Sequence, residues 1–129
     1  MGIRTIAWVK GSIRIIDQTK LPKQLEYLDI KDLSLLCRAI KELRVRGAPA
    51  LGAAAALGCY IGVKNSKAKD PGVFLCELER VIRFIGSSRP TARNLFWGLE
   101  RSRRVALENR DKDVSSIKQL LLKEAQAVI

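Results

Sequence analysis

The chain has 129 residues, which fits one domain. Its hydrophobic content of 47% and charged content of 29% are ordinary for a globular protein and argue against wholesale disorder. The formal net charge of +11 favours an anionic partner, but the 24 Lys and Arg residues are spread along the chain, which argues against a dedicated arm for specific nucleic-acid binding.

The first 28 residues predict a small antiparallel sheet. Residues 3–9 and 13–17 are short and rich in β-branched side chains, and Lys10, Gly11 and Ser12 separate them, a pattern typical of a β-hairpin. Residues 24–28 predict a third strand after the break at Pro22. The rest of the chain, residues 29–129, predicts a bundle of about five helices, so the expected fold class is α+β.

Two helices are predicted in the first half of this bundle. Apolar residues recur at spacings of three and four between Leu33 and Leu43, with Asp29 or Asp32 expected at the start of the helix. A second helix is predicted from Pro49, and it is small and apolar on all sides, which indicates burial at the centre of the domain. Its glycines are expected where neighbouring helices approach the backbone closely.

Three further helices are predicted in the second half. Asp70 and Pro71 predict the start of the third helix and Gly86 its end. The fourth is expected to begin near Pro90, and Ser116 with Gln119 predicts a capping box for the fifth. The last helix runs to the end of the chain without a capping signal, so we expect a further domain to follow it.

The chain contains no histidine and three cysteines. It therefore cannot supply a Ser-His or Cys-His pair, and the cysteine spacing does not predict a metal site or a disulfide framework. Cys37, Cys59 and Cys76 all fall within predicted helices, where we expect them to act as buried structural residues. No signal peptide and no apolar run long enough for a bilayer is visible, which favours a cytoplasmic location.

Two loops have the composition of anion sites. Arg46, Gly47 and Ala48 lead into the helix that begins near Pro49, where free N–H groups and the helix dipole favour an anion. Arg89 likewise precedes a predicted helix start, at Pro90. An Arg side chain can donate two parallel hydrogen bonds to phosphate oxygens. Each loop alone is a weak signal, because such helix starts are common and a neighbouring Arg is usually solvated.

Three motifs that follow one another along the chain carry more specific information than these two loops do. Residues 16–22 (IDQTKLP), 45–55 (VRGAPALGAAA) and 88–97 (SRPTARNLFW) resemble motifs of the methylthioribose-1-phosphate isomerase family. That family shares a superfamily with ribose-1,5-bisphosphate isomerase and the regulatory subunits of translation initiation factor 2B. The resemblance covers nearly the whole chain.

The resemblance implies an N-terminal substrate-gripping domain of an isomerase that converts a cyclic aldose 1-phosphate into an open-chain ketose 1-phosphate without a cofactor. Arg46, Gly47, Ala48 and Arg89 match the family's substrate-binding positions. The family's proton-transfer pair, a Cys and an Asp, belongs to a following Rossmann-like domain that this chain lacks, so no residue here is assigned a catalytic role. A homodimer is implied for the full-length form.

Three alternatives remain open. The first is a domain similar to ribose-1,5-bisphosphate isomerase, and residues 17–22 with Trp97 favour the thioribose enzyme over it. The second is a non-catalytic regulatory module like the initiation-factor relatives. The third, a basic RNA-binding helical domain, lacks an aromatic platform for stacking bases.

Overall fold

The computed structural model describes residues 6–16, 27–42 and 48–128. It has a three-stranded sheet followed by five helices, which confirms the predicted α+β class. The strands are β1 (Ile6–Val9), β2 (Ser12–Ile16) and β3 (Tyr27–Ile30), and the helices are α1 (Leu33–Lys41), α2 (Ala48–Val63), α3 (Pro71–Gly86), α4 (Arg93–Glu108) and α5 (Val114–Ala127). Among the described residues, none of the helices combines the length and the apolar composition that a bilayer crossing requires.

The sheet is antiparallel in the order β1-β2-β3. Val9 pairs with Ser12, so the hairpin has a two-residue turn of Lys10 and Gly11, both at positive φ as a type I′ turn requires. The third strand ends at Ile30 and not at Leu28 as predicted; residues 24–26 lie outside the described ranges. Ile30 pairs with Ile13 in the core, and this cross-strand burial extends the strand.

The exposed face of the sheet carries an ion pair between neighbouring strands. Arg14 Nε donates to Asp29 Oδ1 at 2.8 Å, and Arg14 Nη2 donates to Asp29 Oδ2 at 3.1 Å. These hydrogen bonds lower the pKa of the Asp29 carboxyl. Asp29 therefore belongs to β3, and Asp32 caps α1 by accepting from the Leu35 N–H.

Two of the later helix ends were predicted correctly and two were not. Asp70 caps α3 and accepts from the Gly72 N–H, and α3 ends at Gly86. In contrast, α4 begins at Arg93, because residues 87–92 form turns of their own. The predicted capping box at Ser116 is wrong: Asp113 caps α5 by accepting from the Ser116 N–H. Hydrogen bonds from the side chain and then the N–H of Ser116 lower the pKa of the Asp113 carboxyl.

The predicted burial of α2 at the centre of the bundle is confirmed. Every residue from 50 to 59 is buried. The sheet packs on this helix through Trp8, whose ring meets that of Tyr60 edge to face at a centroid distance of 5.8 Å. On the other side, a Cβ at Gly58 would lie 2.5 Å from Leu36 Cδ2 and 3.0 Å from Ile85 Cδ1, so α1 and α3 approach the α2 backbone closely, as expected.

The closest approach in the bundle is between α2 and α4. A Cβ atom at Gly98 would overlap the carbonyl group of Gly52 and contact the side chain of Ala55. The sequence patterns did not single out Gly98, although it has the same role in α4 that the glycines have in α2. Only glycine allows the two backbones to touch here.

We expect Gly98→Ala to destabilise the chain. Overpacking costs about 1–3 kcal/mol, and the backbone carbonyl of Gly52 cannot move aside as a side chain can, so this cost exceeds the gain of up to about 1 kcal/mol that Ala brings to a helix. Urea unfolding measures the difference. Gly72→Ala is the matched control, because the nearest atom to a Cβ there lies 3.5 Å away. Equal stability of the two variants would contradict the close-contact explanation.

Candidate functional site

The structure describes the predicted site residues unequally. Arg46 and Gly47 lie outside the described ranges, so their predicted roles stay predictions. Ala48 is the first residue of α2, and Arg89 lies half-buried in the turns that connect α3 to α4. Asp17, the strand-end acid in the first motif, also falls outside the described residues.

The segment around Arg89 is tightly hydrogen-bonded to its own backbone. The Ser87 hydroxyl donates to the Phe84 carbonyl at 2.6 Å, and the Ser88 hydroxyl donates to the Ile85 carbonyl. The Ala92 N–H donates to the Arg89 carbonyl at 3.0 Å. The two serine hydroxyls therefore donate to carbonyl groups at the end of α3, and these protons are not directed to an anion.

Contacts between α2 and α4 advance along both helices together. Gly52 lies against Asn94 and Trp97, Ala55 lies against Gly98, and Cys59 meets Ser102 one turn later. Two helices whose contacts step forward in the same direction are parallel. The starts of α2 and α4, at Ala48 and Arg93, therefore lie side by side at one end of the domain.

The turns that carry Arg89 reach the same end. Glu79 of α3 pairs with Arg103 of α4, and Gly86 at the end of α3 contacts Phe96 in the first turn of α4, so α3 and α4 run antiparallel. The chain thus returns to the helix starts when it leaves α3. Arg89 and the first residue of α2 share one end of the bundle.

The start of α4 differs from the other described caps. Asp32, Asp70 and Asp113 cap α1, α3 and α5, whereas the N-cap residue of α4 is Ala92, which makes no side-chain cap hydrogen bond. The first helical residue is the exposed Arg93, although a cation is unfavourable at the positive end of a helix dipole. A helix start without a side-chain cap and a positive charge therefore coincide at the start of α4.

No pair of carboxylates and no metal cluster accompanies these basic residues in the part of the chain that the structure describes. Groups of three His, Cys, Asp or Glu side chains that would coordinate a metal are absent from the described ranges. The arrangement at this end is suited to attracting and orienting an anion, and the described side chains provide no acid–base pair next to it.

Comparisons with known proteins identify the family of the chain. The family model described as the Initiation factor 2 subunit family matches residues 44–129. A 5-deoxyribose 1-phosphate isomerase of Moorella thermoacetica is 45% identical over 126 residues, and a methylthioribose-1-phosphate isomerase of Geobacter sp. strain M21 is 44% identical over 128 residues. These matches cover 98% and 99% of the chain but 36% and 37% of the relatives, so the chain spans about a third of their length.

Two solved structures are similar to almost the whole chain. The 5-methylthioribose 1-phosphate isomerase from Pyrococcus horikoshii OT3 has a TM-score of 0.90 at 36% identity, covering 97% of this chain and 35% of that one. The translation initiation factor eIF-2B subunit delta from A. fulgidus has a TM-score of 0.87 at 40% identity, covering 98% of this chain and 36% of that one.

The three cysteines do not share one environment. Burial raises the pKa of the Cys37 thiol to about 11 and that of Cys59 to about 12, so both are inert structural residues as expected. Cys76 is exposed, which contradicts the expected burial, because its position on α3 faces outward at the rim of an apolar groove near Leu107.

Thiol labelling should separate these environments. At neutral pH we expect a disulfide reagent such as DTNB to react rapidly with one thiol per native chain, because the thiolate is the reactive form and only the Cys76 thiol is exposed. Denaturant should expose all three thiols. Cys76→Ser should abolish the rapid reaction and Cys37→Ser should preserve it; rapid labelling that survives in Cys76→Ser would contradict the assignment.

Proposed function

The chain belongs to the Initiation factor 2 subunit family, and we propose that it is the phosphate- and sugar-binding part of an aldose–ketose isomerase that acts on a 5-substituted pentose 1-phosphate. The observation that carries the proposal is the parallel packing of α2 and α4, which sets two helix starts beside each other. The names of the isomerase relatives supply the substrate class.

The proposed binding mode follows from the charge at this end. A phosphate between the two helix starts would accept hydrogen bonds from backbone N–H groups and would lie at the positive ends of two dipoles. Arg89 would contribute a planar fork to the phosphate oxygens. We assign Arg46, Gly47 and Ala48 to the same phosphate from their match to the family motif, with Gly47 allowing close backbone approach.

Proton transfer is assigned to a part of the protein outside this chain. An aldose–ketose isomerisation moves a proton between neighbouring carbons, so it needs an acid and a base but no net oxidant and no cofactor. The two buried thiols here have raised pKa values, and neither accompanies the helix starts as an acid or base. We therefore propose that a following Rossmann-like domain supplies the family's Cys and Asp, in a cytoplasmic homodimer.

Two alternatives within the family share this fold. The similarity to the eIF-2B delta subunit favours a regulatory module as the second candidate, in which the same basic end would bind a regulatory nucleotide or no ligand. A domain similar to ribose-1,5-bisphosphate isomerase would bind a second phosphate. Comparing methylthioribose 1-phosphate with ribose 1,5-bisphosphate and a nucleotide as ligands distinguishes the three.

Replacing either proposed phosphate-binding arginine should weaken substrate binding. A charge-assisted hydrogen bond contributes roughly 1.5–3 kcal/mol, so we expect Arg46→Lys and Arg89→Lys to raise the Kd for methylthioribose 1-phosphate by about 10- to 100-fold. Lysine retains the charge but lacks the bidentate fork. An NMR titration of the chain reads this Kd even when binding is weak.

Arg110→Lys is the matched control for these variants. Arg110 is exposed just after α4 ends, and a 16-residue helix spans about 24 Å, so it lies at the opposite end of the bundle from the two helix starts. Arg101, by contrast, is paired with Glu124 and is unsuitable as a control. If all three variants bind like the parent, the phosphate-binding proposal is wrong.

The chain by itself should not isomerise methylthioribose 1-phosphate. General acid–base catalysis is typically worth 10²–10⁴-fold, and we assign both groups to the following domain. Incubating the pure chain with substrate and assaying the ketose product tests this. Ketose formation that disappears in Cys76→Ser would show that the chain carries its own catalytic thiol. It would contradict the proposal that proton transfer belongs to a following domain.

A further inference from the structure

Trp97 contacts the backbone of α2 one turn after that helix begins. A Cβ atom at Gly52 would lie 3.0 Å from Cε3 and 3.1 Å from Cζ3 of the Trp97 indole, so the edge of the ring occupies the space that a side chain at position 52 would need. The same position lies 3.5 Å from the Asn94 carbonyl oxygen. The indole therefore fits into a notch in α2 that exists because residue 52 is glycine.

The indole is also held from a second direction. The Arg101 guanidinium lies over the ring, 4.9 Å from its centroid, which is cation–π geometry. Arg101 Nε in turn donates to Glu124 Oε1 on α5 at 3.0 Å, and Nη2 donates to the same oxygen. A series of contacts thus connects α2, α4 and α5: Gly52 with Trp97, Trp97 with Arg101, and Arg101 with Glu124.

Trp97 is less buried than the residues that pack α4 into the core. The ring is 48% exposed, whereas the residues that pack α4 into the bundle, Leu95 and Leu99, are almost completely buried. A half-exposed ring loses much of the stabilisation that full burial would give. An aromatic ring is nevertheless rigid, so it fixes the spacing of whatever it touches.

We propose that Trp97 is a positioning residue for the phosphate site, because the fit of its indole into the Gly52 notch fixes the separation of the starts of α2 and α4. The inference rests on the proposed function. Ala48 precedes Gly52 by four residues and Arg93 precedes Trp97 by four, about one helical turn in each case. A displacement at the notch therefore reaches both helix starts almost undiminished.

The notch makes a compensating pair of variants available. Trp97→Phe removes the outer part of the ring and leaves a gap at Gly52, while Gly52→Ala adds a methyl group that pushes the indole outward. We expect each single variant to weaken binding of methylthioribose 1-phosphate by about tenfold, which is the loss of roughly one well-aligned hydrogen bond. In the double variant the methyl group fills the gap, and affinity should return to within about threefold of the parent.

Binding and stability must be measured on the same samples of the 129-residue chain. An NMR titration gives the Kd of the folded protein, and urea unfolding gives its stability. Phe74→Leu is the matched control: Phe74 is buried in the first turn of α3, and because Val81 of the same helix already lies beside Gly62, it belongs to the far end of the bundle. This variant should lose stability and keep the parent's Kd.

The outcomes separate this inference from the proposed function. Rescue of affinity in the double variant, with Arg89→Lys weak in binding, supports both. If Trp97→Phe and Gly52→Ala change stability but leave the Kd unchanged, or if their effects on the Kd simply add, Trp97 is not a positioning residue even though Arg89→Lys still binds weakly. If the parent chain does not bind the sugar phosphate, the proposed function fails and the positioning role fails with it.

Discussion

The direct contact between the backbones of α2 and α4 is the constraint on which the rest of the domain depends. Gly98 meets the carbonyl group of Gly52, and this approach is closer than any pair of larger residues would allow. Four helices, α1, α3, α4 and α5, pack around α2. Small apolar residues on every side of α2 allow all four to approach its backbone. The Gly98 contact also sets the direction of α4, and a parallel neighbour is what brings two helix starts to one end.

The arginines of the described residues fall into two groups, those that pair with a carboxylate and those that do not. Several arginines away from the helix starts pair with carboxylates: Arg14 with Asp29 and Arg101 with Glu124 on neighbouring elements, and Arg103 with Glu79 of α3 and with Glu100 of its own helix. Half-exposed pairs of this kind add little to stability but fix the rotamers of long side chains. At the helix starts, neither Arg89 nor Arg93 pairs with a carboxylate among the residues that the structure describes.

The sequence predicts the elements well where the signal is local and fails where distant residues compete. The order of three strands and five helices, the cap at Asp70 and the buried α2 all follow from composition, period and caps within a few residues. The predicted start of α4 near Pro90 is too early. A proline often opens a helix, but here the Ala92 N–H donates to the Arg89 carbonyl and closes a separate turn before α4 begins at Arg93. Serine was preferred as the α5 cap although Asp113, three residues earlier, is an equally good one. At the candidate site, the sequence motif of residues 88–97 identifies Arg89. The role of Gly98 depends on its contact with Gly52, which is distant in sequence, and no local pattern predicts that contact.

Shape alone does not decide what this domain binds. The isomerase and the initiation-factor subunit have almost the same similarity to the chain, with TM-scores of 0.90 and 0.87, so one backbone occurs in proteins with different names. Within the third of these proteins that the chain covers, a difference in what is bound must come from the side chains on that common backbone. In this chain the parallel arrangement of α2 and α4 places two helix starts side by side, and helix starts in general favour an anion. Selectivity among anions then depends on how rigidly the starts are spaced and on which arginines flank them, because a phosphate monoester, a bisphosphate and a nucleotide differ in size more than in local charge. In this chain the Gly98 contact sets how closely α2 and α4 approach, the Trp97 edge fits against Gly52 beside it, and Arg89 and Arg93 lie near the helix starts, so the features on which selectivity would depend lie in neighbouring turns at one end of the bundle.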